Sequence, residues 1–292
     1  MQNYFSAFLN SVLTKMTRFS ITNHLAAALL ILLTPALFAA SSLLETEYEN
    51  HFRKHIQSTD NAEVVDLQAA DQTFVGIYRE SSIATVQGGI IIVHDLKQNA
   101  DFPGVIRPLA EKLPEHGWST LSLQMPVPNL DESRSALAQL DQLFPGLSQQ
   151  ANSRIKAGID HFLSKNIENI SIVGFGSGAK YAAVMTTTPD WEELGNLVVV
   201  NLDSRHPPEI TETLEKIKVP VLDVFGSKAL KPVLDSRKER STAILNKAEN
   251  SNYRQAEIIG ADHRFTGVED SLISTIRAWL GKYSAGMTVK RQ

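Results

Sequence analysis

The residues best placed to do chemistry lie in the run Ile170-Ser171-Ile172-Val173-Gly174-Phe175-Gly176-Ser177-Gly178-Ala179. An apolar strand, a glycine-rich turn and a helix of small residues is the layout that lifts a nucleophilic serine or cysteine onto a sharp bend, with small residues two positions to either side. With Gly174 and Gly178 in those small positions, the bend is crowned by Gly176 and the hydroxyl arrives one residue late, at Ser177. The chemistry such a turn serves is attack on a carbonyl, with the N–H of the residue after the apex stabilising the oxyanion. Moving Ser177 to the apex would put the Phe175 ring where a small residue is needed. The unshifted register is therefore the expected one, and in it Ser177 supplies a backbone N–H rather than an activated hydroxyl.

A nucleophile, an acid and a histidine would follow in that order along the chain. His263, in Ile258-Ile259-Gly260-Ala261-Asp262-His263-Arg264-Phe265, lies between the last predicted strand and the last helix, where substrate-facing loops gather. The usual place for the acid, after Val221-Leu222-Asp223-Val224-Phe225-Gly226, reads Ser227-Lys228-Ala229-Leu230 and holds no carboxylate. Asp203, at the end of the preceding strand, is the candidate orienting acid, with an Asx turn as its alternative. Asp223 lies inside an apolar strand and calls for a buried partner, Arg237 or Arg240. His94 and Asp95 follow the first long apolar strand, where such folds complete an oxyanion hole. With Gly176 and Arg264 they are the candidate ligand contacts, because a helix N-terminus can hold an anion or carbonyl oxygen even where no nucleophile is present.

Other chemistries are weakly encoded. Gly174-Phe175-Gly176-Ser177-Gly178-Ala179 also resembles a dinucleotide fingerprint, but it falls in the middle of the strand order and Asp203 is distant for a ribose carboxylate. His51 and His55 share a helical face with no glutamate between them, which suits a solvated helix better than a metal. No cofactor and no metal are expected. The chain has no cysteine, which excludes disulfides, thiolate ligands and cysteine nucleophiles. A net charge of -4 gives no sign of a nucleic-acid partner.

These residues must be positioned by a large α/β core, which 292 residues at 43% hydrophobic content can bury. Strands are expected at 63–67, 73–78, 90–93, 118–123, 170–173, 197–200, 219–225 and 253–259. Helices are expected at 102–115, 132–143, from Ser148 through Leu163, 179–185, 210–217, 230–246 and 272–280. Unbroken apolar strands such as Ile90-Ile91-Ile92-Val93 suit a parallel sheet buried on both faces. Alternation with crossover helices predicts a doubly wound, mostly parallel sheet with helices on both faces, over about 61–283. The irregular stretch at about 124–147 is the candidate cap-like insertion, and 284–292 a tail. Phe102, Trp118, Trp191 and Trp279 read as core.

Residues 1–40 are of another character. Lys15 and Arg18 precede an apolar run over 25–33, and small residues follow at Ala39, Ala40, Ser41 and Ser42. This is the order of a secretory signal, and the run is short for a bilayer span. The expectation is a periplasmic protein with no stable membrane span after cleavage; an uncleaved inner-membrane anchor is the alternative. Residues 41–60 form an N-terminal extension.

Five segments together resemble the alpha/beta-hydrolase superfamily, and more closely a family of exported bacterial proteins called domain of unknown function 3530. They are Gly89-Ile90-Ile91-Ile92-Val93-His94-Asp95, Gly117 through Pro126, Val173 through Ala179, Pro220 through Gly226, and Gly260 through Phe265. The resemblance implies the hydrolase fold, an envelope location and, for His263, the role of the catalytic histidine. Glycine at the nucleophile position favours a non-catalytic protein that binds a small molecule or an envelope partner. The alternative is an esterase or acyl hydrolase using Ser177, His263 and Asp203.

Overall fold

The computed structural model describes residues 49–56, 62–70, 72–96, 98–128, 136–191, 195–248 and 250–284. The expected signal over 1–40, much of the extension and the tail from 285 lie outside them. The chain divides into two compact units, 1–50 and 51–292. Only Glu49 and Asn50 of the first are described; the sheet and the candidate site belong to the second.

The sheet of this second unit has eight strands in the order β1-β2-β4-β3-β5-β6-β7-β8. β1 (Glu63–Ala69) and β2 (Gln72–Arg79) form an antiparallel hairpin, and β2 continues antiparallel onto β4 (Trp118–Leu123). β3 (Gly88–Val93), β4, β5 (Ile170–Phe175), β6 (Leu197–Val200), β7 (Val221–Lys228) and β8 (Tyr253–Asp262) pair in parallel. Every residue of β3, β4, β5 and β6 is buried, including Ser119, Thr120 and Ser122 of β4, as a sheet covered by helices on both faces requires. The chain leaves β3 toward β4 and returns to β5 on the other side. The topological switch point, where ligand crevices form in open α/β sheets, therefore lies beyond the C-terminal ends of β3 and β5.

The helices are α1 (residues 51–56 within this unit), α2 (Ile106–Lys112), α3 (Ala136–Ser164), α4 (Ser177–Met185), α5 (Glu209–Leu214), α6 (Lys231–Thr242) and α7 (Glu269–Tyr283). One core packs α3, α4 and α5 against one face of the sheet, and a second packs α2 and α7 against the other. Trp118, Trp191 and Trp279 are all buried. No helix among the described residues is long and apolar enough to cross a membrane.

One element departs from expectation. The helices predicted on either side of Pro145 and Gly146 are a single helix, α3, with Pro145 inside it. An interior proline forfeits a backbone bond and costs roughly 3 kcal/mol. Leu147, Ala151, Ile155, Ile159 and Phe162 lie on one stripe buried in the core, and each large apolar side chain contributes about 1.5–3 kcal/mol. The stripe prevails, and Ser148 becomes an interior residue whose buried hydroxyl has no partner among the described residues, instead of a cap. Residues 136–147 of the expected cap thus belong to α3, and 129–135 lie outside the described residues.

A fully buried ion pair ties α6 to the sheet. Arg240 donates from Nε to Asp223 Oδ2 at 2.7 Å and from Nη2 to Oδ1 at 3.2 Å, while Nη1 donates to the Leu202 carbonyl at 2.8 Å. Tyr253 and Gln255 each add a donor to Asp223 Oδ2 at 3.0 Å. Burial and the Asp223 charge hold the Tyr253 phenol far above its usual range. Removing one partner of such a pair strands the other in a dry interior. Arg240→Met is expected to lower unfolding free energy by about 3–5 kcal/mol in urea denaturation. Asp223→Leu combined with Arg240→Met should cost less than Arg240→Met alone.

Candidate functional site

β5 ends at Phe175, Gly176 makes the bend, and α4 starts at Ser177. Gly176 has φ 57° and ψ -115°, on the positive-φ side that glycine tolerates and other residues resist. A Cβ on Gly178 would lie 2.3 Å from the Val93 carbonyl oxygen. Glycine there lets the first turn of α4 press against the end of β3, which brings the residues after β3 over the bend.

The side chain that arrives is Asp95. A Cβ on Gly176 would lie 2.3 Å from Asp95 Cγ and 2.5 and 2.6 Å from its two oxygens, so the carboxylate fills the space a nucleophile at the apex would begin to occupy. Asp95 Oδ1 accepts the backbone N–H of Ser177 at 2.7 Å and that of Leu96 at 2.8 Å. Oδ2 faces His263 Nε2 at 3.8 Å. Burial opposes the charged form. The His263 contact and the two backbone donors outweigh it, and Asp95 is held below the ordinary carboxylate value. The positive end of α4 acts in the same direction.

His94 braces this loop. Its Nε2 lies 2.9 Å from the Met125 N–H and its Nδ1 lies 2.7 Å from the Asp95 carbonyl. Because Met125 can only donate, Nε2 must accept, so Nδ1 carries the proton and donates to Asp95. Burial lowers the imidazole to about 4. His94, an expected ligand contact, is 3% exposed, and both its nitrogens are within hydrogen-bond distance of backbone groups.

His263 follows β8. Asn201, at φ 52°, donates to the His263 carbonyl at 2.7 Å and accepts the Gly226 N–H at 3.2 Å, joining the ends of β6, β7 and β8. The ring lies 5.2 Å from the buried Phe175 ring, centroid to centroid. Nδ1 is buried and has no hydrogen-bond partner among the described residues. Asp203, the expected orienting acid, does not supply one: its Oδ1 accepts the Arg205 N–H at 3.0 Å in an Asx turn. Among the described residues no hydrogen bond or ion pair joins Ser177 Oγ to His263. Arg264 is exposed, its guanidinium 5.5 Å from the centre of the Phe102 ring. The structure thus brings Asp95, Gly176, Ser177 and His263 together and leaves Asp203 and Arg264 outside the cluster.

Sequence reasoning placed Asp95 near the site without seeing that it takes the apex position. The available signal was the glycine itself, since a bend built for a side chain leaves a void when it has none. Lys180, one turn along α4, was also missed. It is half-buried and donates to the His206 carbonyl, and burial lowers its pKa against the opposing charges of Asp203, Asp95 and Asp141.

The family model described as protein of unknown function (DUF3530) matches residues 42–142 and 131–282. A dienelactone hydrolase from Anabaena variabilis ATCC 29413 superposes with a TM-score of 0.59 at 19% identity, covering 77% of this chain and 98% of its own. Est1E from Butyrivibrio proteoclasticus gives 0.58 at 12%, covering 75% and 98%. The esterase Pf2001 from Pyrococcus furiosus gives 0.60 at 14%, covering 77% and 93%. At these identities the likeness establishes a shared alpha/beta-hydrolase fold. Comparison with curated protein sequences gives no match.

Substitutions at the bend and at His94 probe these contacts. Gly176→Ala should destabilise the fold by at least about 2 kcal/mol, through positive φ and collision with Asp95. Asp95→Ala should offset part of that loss, giving a coupling of about 1 kcal/mol or more in a double-mutant cycle. His94 takes up a proton when unfolded at its ordinary 6.5 but resists protonation when folded until about 4. Its contribution is therefore present above pH 6.5 and declines as pH falls toward 4, by about 3 kcal/mol. His94→Asn should flatten that part of the stability-against-pH curve.

Proposed function

This chain belongs to the DUF3530 family and has the alpha/beta-hydrolase fold, and from that premise we propose that it is a hydrolase whose reacting pair is Asp95 and His263. The observation that carries this reading is the Asp95 carboxylate seated on Gly176, with Oδ2 turned toward the imidazole at 3.8 Å. A nucleophile or base, a proton acceptor beside it and a pair of backbone donors are the components of hydrolytic sites. Here the carboxylate stands in the place of the hydroxyl, and Ser177 contributes its N–H. About a fifth of each side chain, 21% for both, is exposed, so the pair is open to a ligand. The names of two structural neighbours, a dienelactone hydrolase and an esterase, point to hydrolysis as well.

One observation favours a second reading. The N–H of Ser177 is already engaged by Asp95, so an ester carbonyl finds that donor occupied. A fixed carboxylate plug would make the molecule a ligand- or partner-binding protein without turnover. In both readings the basic flank, apolar run and small residues over 15–42 support export to the periplasm.

A panel of p-nitrophenyl esters, epoxides and alkyl halides separates the readings. Asp95→Asn and His263→Gln should each reduce turnover about 100-fold or more, and Ser177→Ala should leave it within about threefold. Loss of turnover in Ser177→Ala would return the nucleophile to the hydroxyl. Activity independent of Asp95 and His263 would remove the proposed pair.

A further inference from the structure

Away from the bend, α3, α4 and α5 enclose a groove of about 560 Å³. Its wall along α3 is the stripe Phe144, Ser148, Asn152 and Lys156, spaced four residues apart and so stacked on one face of the helix. Val184 and Met185 of α4, with Thr188 just beyond, line it from the other side, and Glu209 and Thr213 from α5. The rings of Phe144 and Tyr181 stack 5.7 Å apart at 14°, and Lys156 Nζ lies 3.4 Å from Asp190 Oδ1. The groove is therefore graded along its length, about 18 Å at roughly 1.5 Å per helical residue. Phe144, Pro145, Val184 and Met185 make one end apolar. Ser148, Asn152 and Thr188 bring hydroxyl and amide groups to the middle, and the pair of Lys156 and Asp190 closes the other end.

The polar groups of the groove are not equally engaged. Ser153 Oγ donates to the Gln149 carbonyl at 3.1 Å, Thr188 Oγ1 to the Met185 carbonyl at 2.8 Å and Thr213 Oγ1 to the Glu209 carbonyl at 2.9 Å. Ser148, only 6% exposed, has no partner for its hydroxyl among the described residues, and neither has the half-buried Asn152 for its buried Oδ1. Burying a polar atom without a partner destabilises the fold. Two such atoms one helical turn apart on the wall of a cavity call for a hydrogen-bonding ligand, and a serine side chain changes partner by one staggered rotation about χ1.

We propose that this groove binds a single-chain amphiphile with a neutral, hydroxylated headgroup, the chain lying on Phe144, Val184 and Met185 and the headgroup at Ser148 and Asn152. A hydroxyl both donates and accepts, so two of them on one ligand answer a serine hydroxyl and an amide oxygen together. The volume, and an apolar lining with a few placed polar groups, are those of a small-molecule site. Charge selects the neutral headgroup. The Lys156 ammonium is already beside Asp190 and lies 3.7 Å from Asp160. An anionic headgroup would meet Asp190 and Glu209, and a cationic one the Lys156 ammonium. The site is separate from Asp95 and His263 and does not rest on their reading as a reacting pair.

The test is photolabelling of the full chain with octyl glucoside carrying a diazirine in its alkyl chain, kept below its micelle concentration, followed by peptide mapping. Label is expected in the peptides holding Phe144 to Lys156 or Val184 to Thr188, and unmodified octyl glucoside should compete at least about tenfold better than glucose or 1-octanol. Ser148→Ala should raise the half-saturating concentration about threefold to tenfold, the worth of one hydrogen bond. It should not lower the thermal midpoint, because it removes a buried hydroxyl that has no partner and introduces a better helix former. A hydroxyl serving the fold alone would give the reverse, a lower midpoint with unchanged labelling. Val184→Phe, which fills the apolar end, should abolish the label in both peptides. Absence of label from both peptides, competition by glucose or 1-octanol equal to that of octyl glucoside, or labelling unchanged in both variants would each overturn the proposal.

Discussion

The site depends on one steric exchange: the apex of the bend after β5 has no side chain, and the carboxylate of Asp95 occupies the room this leaves. Gly176 tolerates the backbone angles of the bend, and Gly178 lets α4 approach β3 closely enough for the next loop to reach across. His94 then fixes the Asp95 carbonyl, and the N–H groups of Ser177 and Leu96 fix one oxygen of its side chain. The charge is brought in by a neighbouring strand instead of by the bend itself. It still lies at the positive end of a helix and opposite an imidazole, the electrostatic setting that the bend would provide for its own nucleophile.

Much of the scaffold was legible because its signals are local. Ile90 through Val93 and Ile170 through Val173 are unbroken apolar runs, and both are strands buried on every residue. The placement of Gly176 at the apex followed from the size of Phe175, which indeed lies in the core. The continuity of α3 was not legible, since Pro145 and Gly146 read as breakers until the buried stripe on either side of them is weighed against a single lost backbone bond. The choice between Arg237 and Arg240 as partner of Asp223 likewise required knowing which side of α6 faces the sheet.

The site itself was legible in its members more than in its wiring. His263 could be placed on a loop at the sheet edge from the order of elements alone. That Asp203 would spend its carboxylate on the Arg205 N–H, and Asp95 would cross onto Gly176, are outcomes of three-dimensional proximity between loops far apart in the chain. His94 shows the converse. It stands where a ligand contact is expected, and a single donor, the Met125 N–H, commits its ring to holding the loop.

The overlap at the apex also constrains how this chain can change by single substitutions. Any residue larger than glycine at 176 collides with Asp95, and truncation of Asp95 to a short apolar side chain leaves the Ser177 and Leu96 donors without their acceptor and opens a void over the bend. A return to an ordinary serine elbow therefore passes through a damaged intermediate whichever position changes first. The two positions are expected to evolve as a linked pair, with glycine at one accompanying the acid at the other.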